Sequence, residues 1–231
     1  MTVQSTPWAL RIGGTAPDYA NSAAIAPDGS VVVAGVFRET ATFGERDPNE
    51  TSFTTGGGGD GFVARYTPDG ELLWARAMAV EGASDPNDTC EPRDLTVADD
   101  GTIFVAGAFD LTVDFGLDEG GSPVTLTSTG GQDAFMAAYS ADGVLYGAKR
   151  AGGTASAVVE AIHVLTDGSV LIARCFRDEA TFGPGEPNQT VLTSPGAIDW
   201  DVSSPVTRPT ARSSPSSRPA AARRVKGPES A

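Results

Sequence analysis

Three observations predict an all-β chain made of tandem repeated units. The phrase Asp28-Gly29-Ser30-Val31-Val32-Val33-Ala34-Gly35-Val36-Phe37 returns as Asp100-Gly101-Thr102-Ile103-Phe104-Val105-Ala106-Gly107-Ala108-Phe109. It returns again, altered, as Asp167-Gly168-Ser169-Val170-Leu171-Ile172-Ala173-Arg174-Cys175-Phe176. The three starts lie 72 and 67 residues apart, and Phe43, Phe115 and Phe182 repeat the same two intervals. Each run is apolar on both alternating faces, with Val31, Val33 and Phe37 on one and Val32, Ala34 and Val36 on the other. A strand with two dry faces belongs inside a stack of sheets, and no window carries the helical period.

Taken in order, Trp8-Ala9-Leu10-Arg11-Ile12-Gly13-Gly14 reads as a strand closing on glycines, with counterparts at Trp74–Met78 and Gly147–Gly153. Those two follow a partner strand across a second Asp-Gly turn: Gly61–Tyr66 before Asp69-Gly70, and Ala134–Tyr139 before Asp142-Gly143. No such partner precedes Trp8, so residues 8–14 are expected to be the last strand of an absent unit. Within a unit, a short strand (Ala23–Ala26, Asp94–Ala98, Ala161–Leu165) leads into the Asp-Gly turn, where both residues tolerate the positive φ of tight hairpins. The apolar strand follows, then a loop marked Thr42-Phe43-Gly44, Asp114-Phe115-Gly116 or Thr181-Phe182-Gly183. Ser52–Thr55, Val124–Ser128 and Val191–Ser194 come next, and the second hairpin completes the unit. About four strands per period predict β-propeller blades. The units fall at about 15–80, 81–153 and 154–200, giving two full blades and a partial third.

The phrase from Asp60-Gly61-Phe62-Val63-Ala64-Arg65-Tyr66-Thr67-Pro68-Asp69-Gly70 to Trp74-Ala75-Arg76, together with Val31–Gly35, resembles bacterial seven-bladed-β-propeller-type repeats over about residues 8–200. The resemblance implies an extracytoplasmic or surface-attached protein and carries no catalytic residues. The third unit departs from it, with Arg174 where Gly35 and Gly107 stand and Cys175 where Val36 and Ala108 stand.

After Asp201 the expected Phe-Val-Ala-Arg-Tyr hairpin is replaced by a Ser/Pro/Ala/Arg stretch without aromatic residues. Residues 201–231 are therefore expected to be a disordered basic tail, since so little apolar surface cannot order a segment. With permitted GC-rich codons, restoring one base after the Val202 codon lets the shifted frame read Val-Phe-Val-Ala-Arg-Tyr-Ala-Pro-Asp-Gly-Ala-Leu-Val. A shifted frame from about Val202 is the expected origin of the tail.

The charge of −14 combines −18 over residues 1–200 with +4 over 201–231. An acidic body disfavours nucleic acid and anionic membrane surfaces. No stretch is apolar and long enough to span a membrane, and Met1–Pro7 shows no signal-peptide pattern. Cys90 and Cys175 lie in unlike settings, a polar loop and an apolar strand, and two free thiols are expected rather than a bridge.

His163, the only histidine, has strand neighbours and no accompanying nucleophile motif, which reads as a structural or solvent-edge residue. Gly56–Gly59 lacks the lysine of a phosphate loop and recurs as Gly130-Gly131, which reads as a turn. Asp85, Asn87 and Asp88, and Asp114 with Asp118, offer hard oxygen donors for Ca²⁺ but not at the spacing of a helix-flanked calcium loop, so solvated loop acids are expected. The Asn-x-Thr triplets at Asn49, Asn87 and Asn188 match a glycosylation pattern that in a chain of bacterial character reads as chance. Phe62, Tyr66, Trp74, Phe135 and Tyr139 follow sheet alternation, so core packing is expected before a sugar platform.

The expected function is a non-enzymatic binding or scaffold module for a protein or carbohydrate ligand, needing no cofactor, with self-association through open blade edges. The alternatives are a propeller-type lyase or hydrolase with a metal in the central channel, and a degenerate fragment without activity. An enzyme would require polar residues at equivalent positions of successive blades converging on one axis, and no shared acid or histidine stands out beyond the turn aspartates.

Overall fold

The computed structural model describes residues 9–117, 123–185, 187, 189–193, 201–203 and 206–207, and these contain strands and turns without an α-helix. The first blade is an antiparallel meander of β1 (Tyr19–Ile25), β2 (Val31–Phe43), β3 (Thr51–Tyr66) and β4 (Leu72–Glu81). The second repeats it with β5 (Cys90–Val97), β6 (Ile103–Phe109), β9 (Asp133–Tyr139) and β10 (Leu145–Gly152). In the third, β11 (Ala157–Val164) pairs with β12 (Val170–Phe176), and β12 pairs with β15 (Asp201–Ser203) and β16 (Val206–Thr207). The chain is thus an incomplete β-propeller: two full blades and part of a third.

The segments expected to be loops after the apolar strands are hairpins, and those of the second and third units are lent to the preceding blade. Strands β7 (Thr112–Phe115) and β8 (Val124–Thr127) leave the second blade and extend the first through β4, so that Met78 pairs with Phe115. Strands β13 (Glu179–Phe182) and β14 (Thr190–Thr193) extend the second blade in the same way, Gly152 pairing with Thr181. In the first blade the equivalent arms are the outer ends of β2 and β3, and Gly13 bridges Thr42. At each departure a non-glycine residue holds a left-handed backbone: Glu39 at φ 54°, Leu111 at 56° and Asp178 at 55°. Three such conformations at one blade position mark the corner that aims the hairpin at its neighbour.

The Asp-Gly turns form, with a different division of labour from the one expected. Only the glycine takes positive φ, as at Gly29 (85°) and Gly101 (84°). The aspartate instead caps the turn, Asp28 Oδ1 accepting the Ser30 N–H at 3.0 Å and Asp100 Oδ1 that of Thr102 at 2.9 Å. The loop is one residue longer than a two-residue turn, with Ala26 N–H donating to Ser30 C=O and Gly29 N–H to Ala26 C=O.

Gly56–Gly59 is extended strand within β3, not a turn. A Cβ on Gly58 would lie 2.0 Å from the Asp88 carbonyl oxygen, because the chain crossing from the first blade to the second is laid directly on it. Gly130 meets the Thr154 carbonyl oxygen at 2.3 Å where the next crossing passes. At Gly58 and Gly130 the glycine requirement is one of close approach, whereas Gly57 also holds a positive φ of 150°.

Both faces of the second blade's central strands, β6 and β9, are dry. Val32, Ala34, Val63, Trp74 and Met78 of the first blade pack against Ile103, Val105, Phe109, Phe135 and Tyr139 of the second. Phe104, Ala106 and Met136 on the second blade's other face pack against Val159, Ile172 and Phe176 of the third. Removing that much apolar surface from water is the dominant favourable term for the stack.

Candidate functional site at the inner strands

Strands β1, β5 and β11 lie side by side as the inner strands of the three blades, at the edge where a closed propeller has its channel. Each is bulged at the same place, between Ala20 and Ser22, between Pro92 and Asp94, and between Val159 and Ala161. The extra residues are Asn21, Arg93 and Glu160, a polar side chain in every blade. A bulge re-aims the residue it inserts, and here it sets up contacts from blade to blade. Asn21 Nδ2 donates to the Pro92 carbonyl at 2.7 Å, and Arg93 Nη1 donates to Glu160 Oε1 at 2.8 Å while its Nη2 reaches Glu91 Oε2 at 3.2 Å. One position along, Ser22 Oγ donates to Asp94 Oδ1 at 2.8 Å, and Asp94 Oδ2 accepts the Ile162 N–H at 2.9 Å. A polar position common to the three blades therefore exists, made of an amide, a guanidinium and a carboxylate rather than of a shared acid or histidine. The sequence hides it because Asn, Arg and Glu are unlike residues and the bulge that aligns them leaves no compositional mark.

This row can hold blades together or receive a polar ligand at the inner edge. It does not suit a metal, because the carboxylates of Glu91 and Glu160 are already paired with the Arg93 guanidinium. Among the described residues no group of three or more His, Cys, Asp or Glu side chains is placed to hold a metal ion.

The sequence-predicted candidates lie elsewhere. Asp85 Oδ1 accepts the Asn87 N–H and side-chain amide at 2.8 and 2.7 Å, and Asp88 Oδ2 accepts the Ser84 and Asp85 N–H groups at 3.0 Å each. Those carboxylates are turned into their own loop. Asp114 is buried on β7, accepting a hydrogen bond from Thr125 Oγ1 and sharing one with Glu81, whose carboxyl it pushes above the usual range. Asp118 lies outside the described residues. His163 is exposed on β11 opposite Leu171. Cys90 and Cys175 are both free, and burial raises the Cys90 thiol well above its ordinary value, with Asp60 adding to the effect. Phe62, Tyr66, Trp74, Phe135 and Tyr139 are all buried, as core packing requires.

A groove of about 720 Å³ runs between the first two blades, lined by Asp28, Arg65, Trp74, Arg76 and Asp142 among others. The side chains of Asp28, Arg65, Trp74 and Arg76 are engaged within the protein. Arg65 is buried, donates through Nε to Ser30 Oγ at 2.7 Å and through Nη2 to Asp28 Oδ2 at 2.9 Å, and also reaches the Ala141 carbonyl of the second blade. Asp28 answers with a carboxyl held down at about 2, chiefly by its bonds from Ser30 and then by Arg65. The Trp74 indole N–H donates to the same Ala141 carbonyl at 2.9 Å, and Arg76 Nε donates to the Gly143 carbonyl at 2.9 Å. The Phe-Val-Ala-Arg-Tyr phrase and the tryptophan after it thus clamp the next blade's turn.

Bladed sheets stacked face to face, with inner strands side by side, define a β-propeller-type repeat protein. The comparison with known families agrees: the sequence model of a family described as "Domain of unknown function (DUF5122) beta-propeller" matches residues 51–72, which span β3 and the turn into β4. No curated protein matches the chain.

Proposed function

We propose that this chain is a non-enzymatic binding or scaffold module of β-propeller repeats, part of a larger extracytoplasmic bacterial protein. One observation carries the reading: the polar side chains of the inner edge are directed at neighbouring blades, Asn21 to Pro92 and Arg93 to Glu160. The lent hairpins add to it, since a blade whose outer edge is finished by the next one makes a mechanically continuous array. Likeness to seven-bladed-type repeats supports the bacterial, surface-exposed setting. The ligand class is a protein or carbohydrate met at the inner edge, and the reading needs no cofactor. The test is a glycan array and a surface-protein binding screen with the full chain and an Arg93→Ala variant. Binding that the variant loses, without any hydrolase or lyase turnover, supports a module; turnover abolished by Arg93→Ala would replace it with the enzyme reading.

A second reading, that of a degenerate fragment, is favoured by the third blade. Asp201 pairs with Phe176 and Thr207 with Val170, the registers of Asp133 with Phe109 and Tyr139 with Ile103. At Ser203, Val206 and Thr207 the backbone runs in the place of the Phe-Val-Ala-Arg-Tyr strand, while the sequence over 203–207 reads Ser-Ser-Pro-Val-Thr. Strand pairing thus continues past residue 200, where the tail was expected to begin; the rest of that tail lies outside the described residues. Sequencing genomic DNA across the Val202 codon tests this, and an intact frame in independent isolates removes it.

A further inference from the structure

We propose that the outer strands of the hairpin arms form a second binding site, which takes an extended segment of a protein partner as an added β-strand. The site lies on the rim of the blades, away from the inner edge, and stands apart from the ligand reading above. Its first element is unpaired backbone. Among the described residues β8 pairs with β7 alone and β14 with β13 alone, so each leaves one edge of its sheet open. Over 51–54, β3 has β2 alone as its partner, since its pairing with β4 begins at Gly61. Ser128 N–H donates to the Leu111 carbonyl at 2.8 Å. Backbone groups alternate in direction along a strand, so those of Thr127 point off the sheet. Thr127 stands opposite Thr112, and Thr54 and Thr193 hold the same register opposite Thr40 and Glu179. All three threonines are exposed.

These edges also lack protection. Open edges are ordinarily blunted by charge, proline or a bulge, because an unblunted edge recruits another strand. The inner edge of this protein has all three: Glu91, Pro92 and Arg93 stand in β5, and a bulge interrupts β1, β5 and β11 alike. The arms have none. Their outer strands read Thr-Ser-Phe-Thr over 51–54, Val-Thr-Leu-Thr over 124–127 and Thr-Val-Leu-Thr over 190–193, without a charge or a proline. From Thr40, Thr112 and Glu179 outward their pairing runs without a register shift. The fold itself shows what such an edge accepts, since β7 joins the first blade by laying Thr112–Phe115 along Met78–Glu81 of β4. A strand added to β8 is the next in that series, held by main-chain hydrogen bonds. Partner chemistry follows from the strand's two faces. One carries hydroxyls, those of Thr112 and Thr127 lying 3.0 Å apart, and the other carries Val124 and Leu126, so the added segment alternates hydroxyl and apolar residues in the same way. The charge of −18 over residues 1–200 favours basic flanks on that segment and disfavours a second, equally acidic copy.

The probe is a labelled synthetic peptide, Val-Thr-Leu-Thr-Ser with a pair of lysines at each end, titrated against the full 231-residue chain by fluorescence anisotropy. Saturable binding is expected, with slower hydrogen exchange at the Thr125 and Thr127 amides, and a counterpart peptide with proline in place of leucine should not bind. Thr54→Pro, Thr127→Pro and Thr193→Pro together remove three N–H groups that no strand of the fold uses, a change that edge strands tolerate. Binding should weaken about tenfold in that variant, whereas valine at the same three positions keeps the N–H groups and should keep the binding. The exchange measurement on the unaltered chain stands whether or not the proline variant folds. Arg93→Ala, at the inner edge, should leave peptide binding unchanged. Absence of binding overturns the proposal, as do exchange protection away from the arms, loss of binding in Arg93→Ala, or equal binding of the proline peptide, which would mark charge attraction alone. A peptide-free chain whose light-scattering mass is twice 23.6 kDa, and is single in the proline variant, also overturns it by giving the edge to a second copy.

Discussion

The first two blades bury an aspartate at the same place and neutralise it by different means. Asp60 pairs with Phe37 and Asp133 with Phe109, and the two carboxyls are 4% and 0% exposed. Around Asp133, Arg150 Nη1 donates at 2.5 Å, and the Thr129 N–H and hydroxyl donate at 3.2 and 3.3 Å. Around Asp60 the counterpart of Arg150 is Ala77, that of Thr129 is Gly56, and the Val80 N–H donates to Oδ1 at 3.0 Å. Burial pushes both carboxyls above the usual range, to about 6 for Asp60, while Arg150 draws Asp133 back down. One backbone can thus present a buried carboxyl either as half of an ion pair or as an acid that holds its proton to mildly acidic pH. The difference is set by residues 17 positions further along the chain.

The largest effect is expected from Arg150→Ala, which strands the fully buried Asp133. Removing one partner of a buried pair costs about 3 kcal/mol or more, and urea unfolding at pH 7 should show it, with much of the loss recovered in acid where Asp133 is protonated. Next comes Asp60→Asn. The folded protein keeps the Asp60 proton up to about pH 6, whereas an unfolded chain releases it near 3.8, so stability falls as pH rises through that window. Asp60 therefore lowers stability by about 2–3 kcal/mol at most at neutral pH, and the amide variant should regain part of it and flatten the slope between pH 4 and 6. Asp28 acts with the opposite sign in a lower window. Its stabilising share is present above pH 3.8 and is lost as pH falls toward 2, so the two separate in an unfolding series with Asp28→Asn as control. Ala77→Arg would give the first blade the second blade's solution, and the expected outcome is a lower Asp60 pKa, read as a shift of the stability slope to below pH 5. The smallest change belongs to Thr129→Ala, about 1 kcal/mol for two long hydrogen bonds to Asp133, measurable as a shift in urea midpoint.

Parts of this contrast are legible in the sequence and parts are not. Asp60 and Asp133 head the same phrase, Gly-Asp-Gly-Phe and Gln-Asp-Ala-Phe, so their equivalence could have been read directly. Their burial could not, because an aspartate beside glycines reads as a turn until the crossing chain at Asp88 and Thr89 is seen lying on it. The row of Asn21, Arg93 and Glu160 was invisible for a related reason, since a bulge shifts the register by one residue and alternation then assigns the wrong face.

By itself the sequence determined the apolar core strands of each unit, the places of the Asp-Gly turns and the repeat period. Those features follow from dihedral preference and a period of two, which are properties of neighbouring residues. Tertiary structure decided that the Thr42, Asp114 and Thr181 segments are hairpins, that the latter two are lent to the preceding blade, and that three unlike residues form one polar row. Which edge a strand joins depends on what lies beside it after folding, and no local pattern encodes the neighbour.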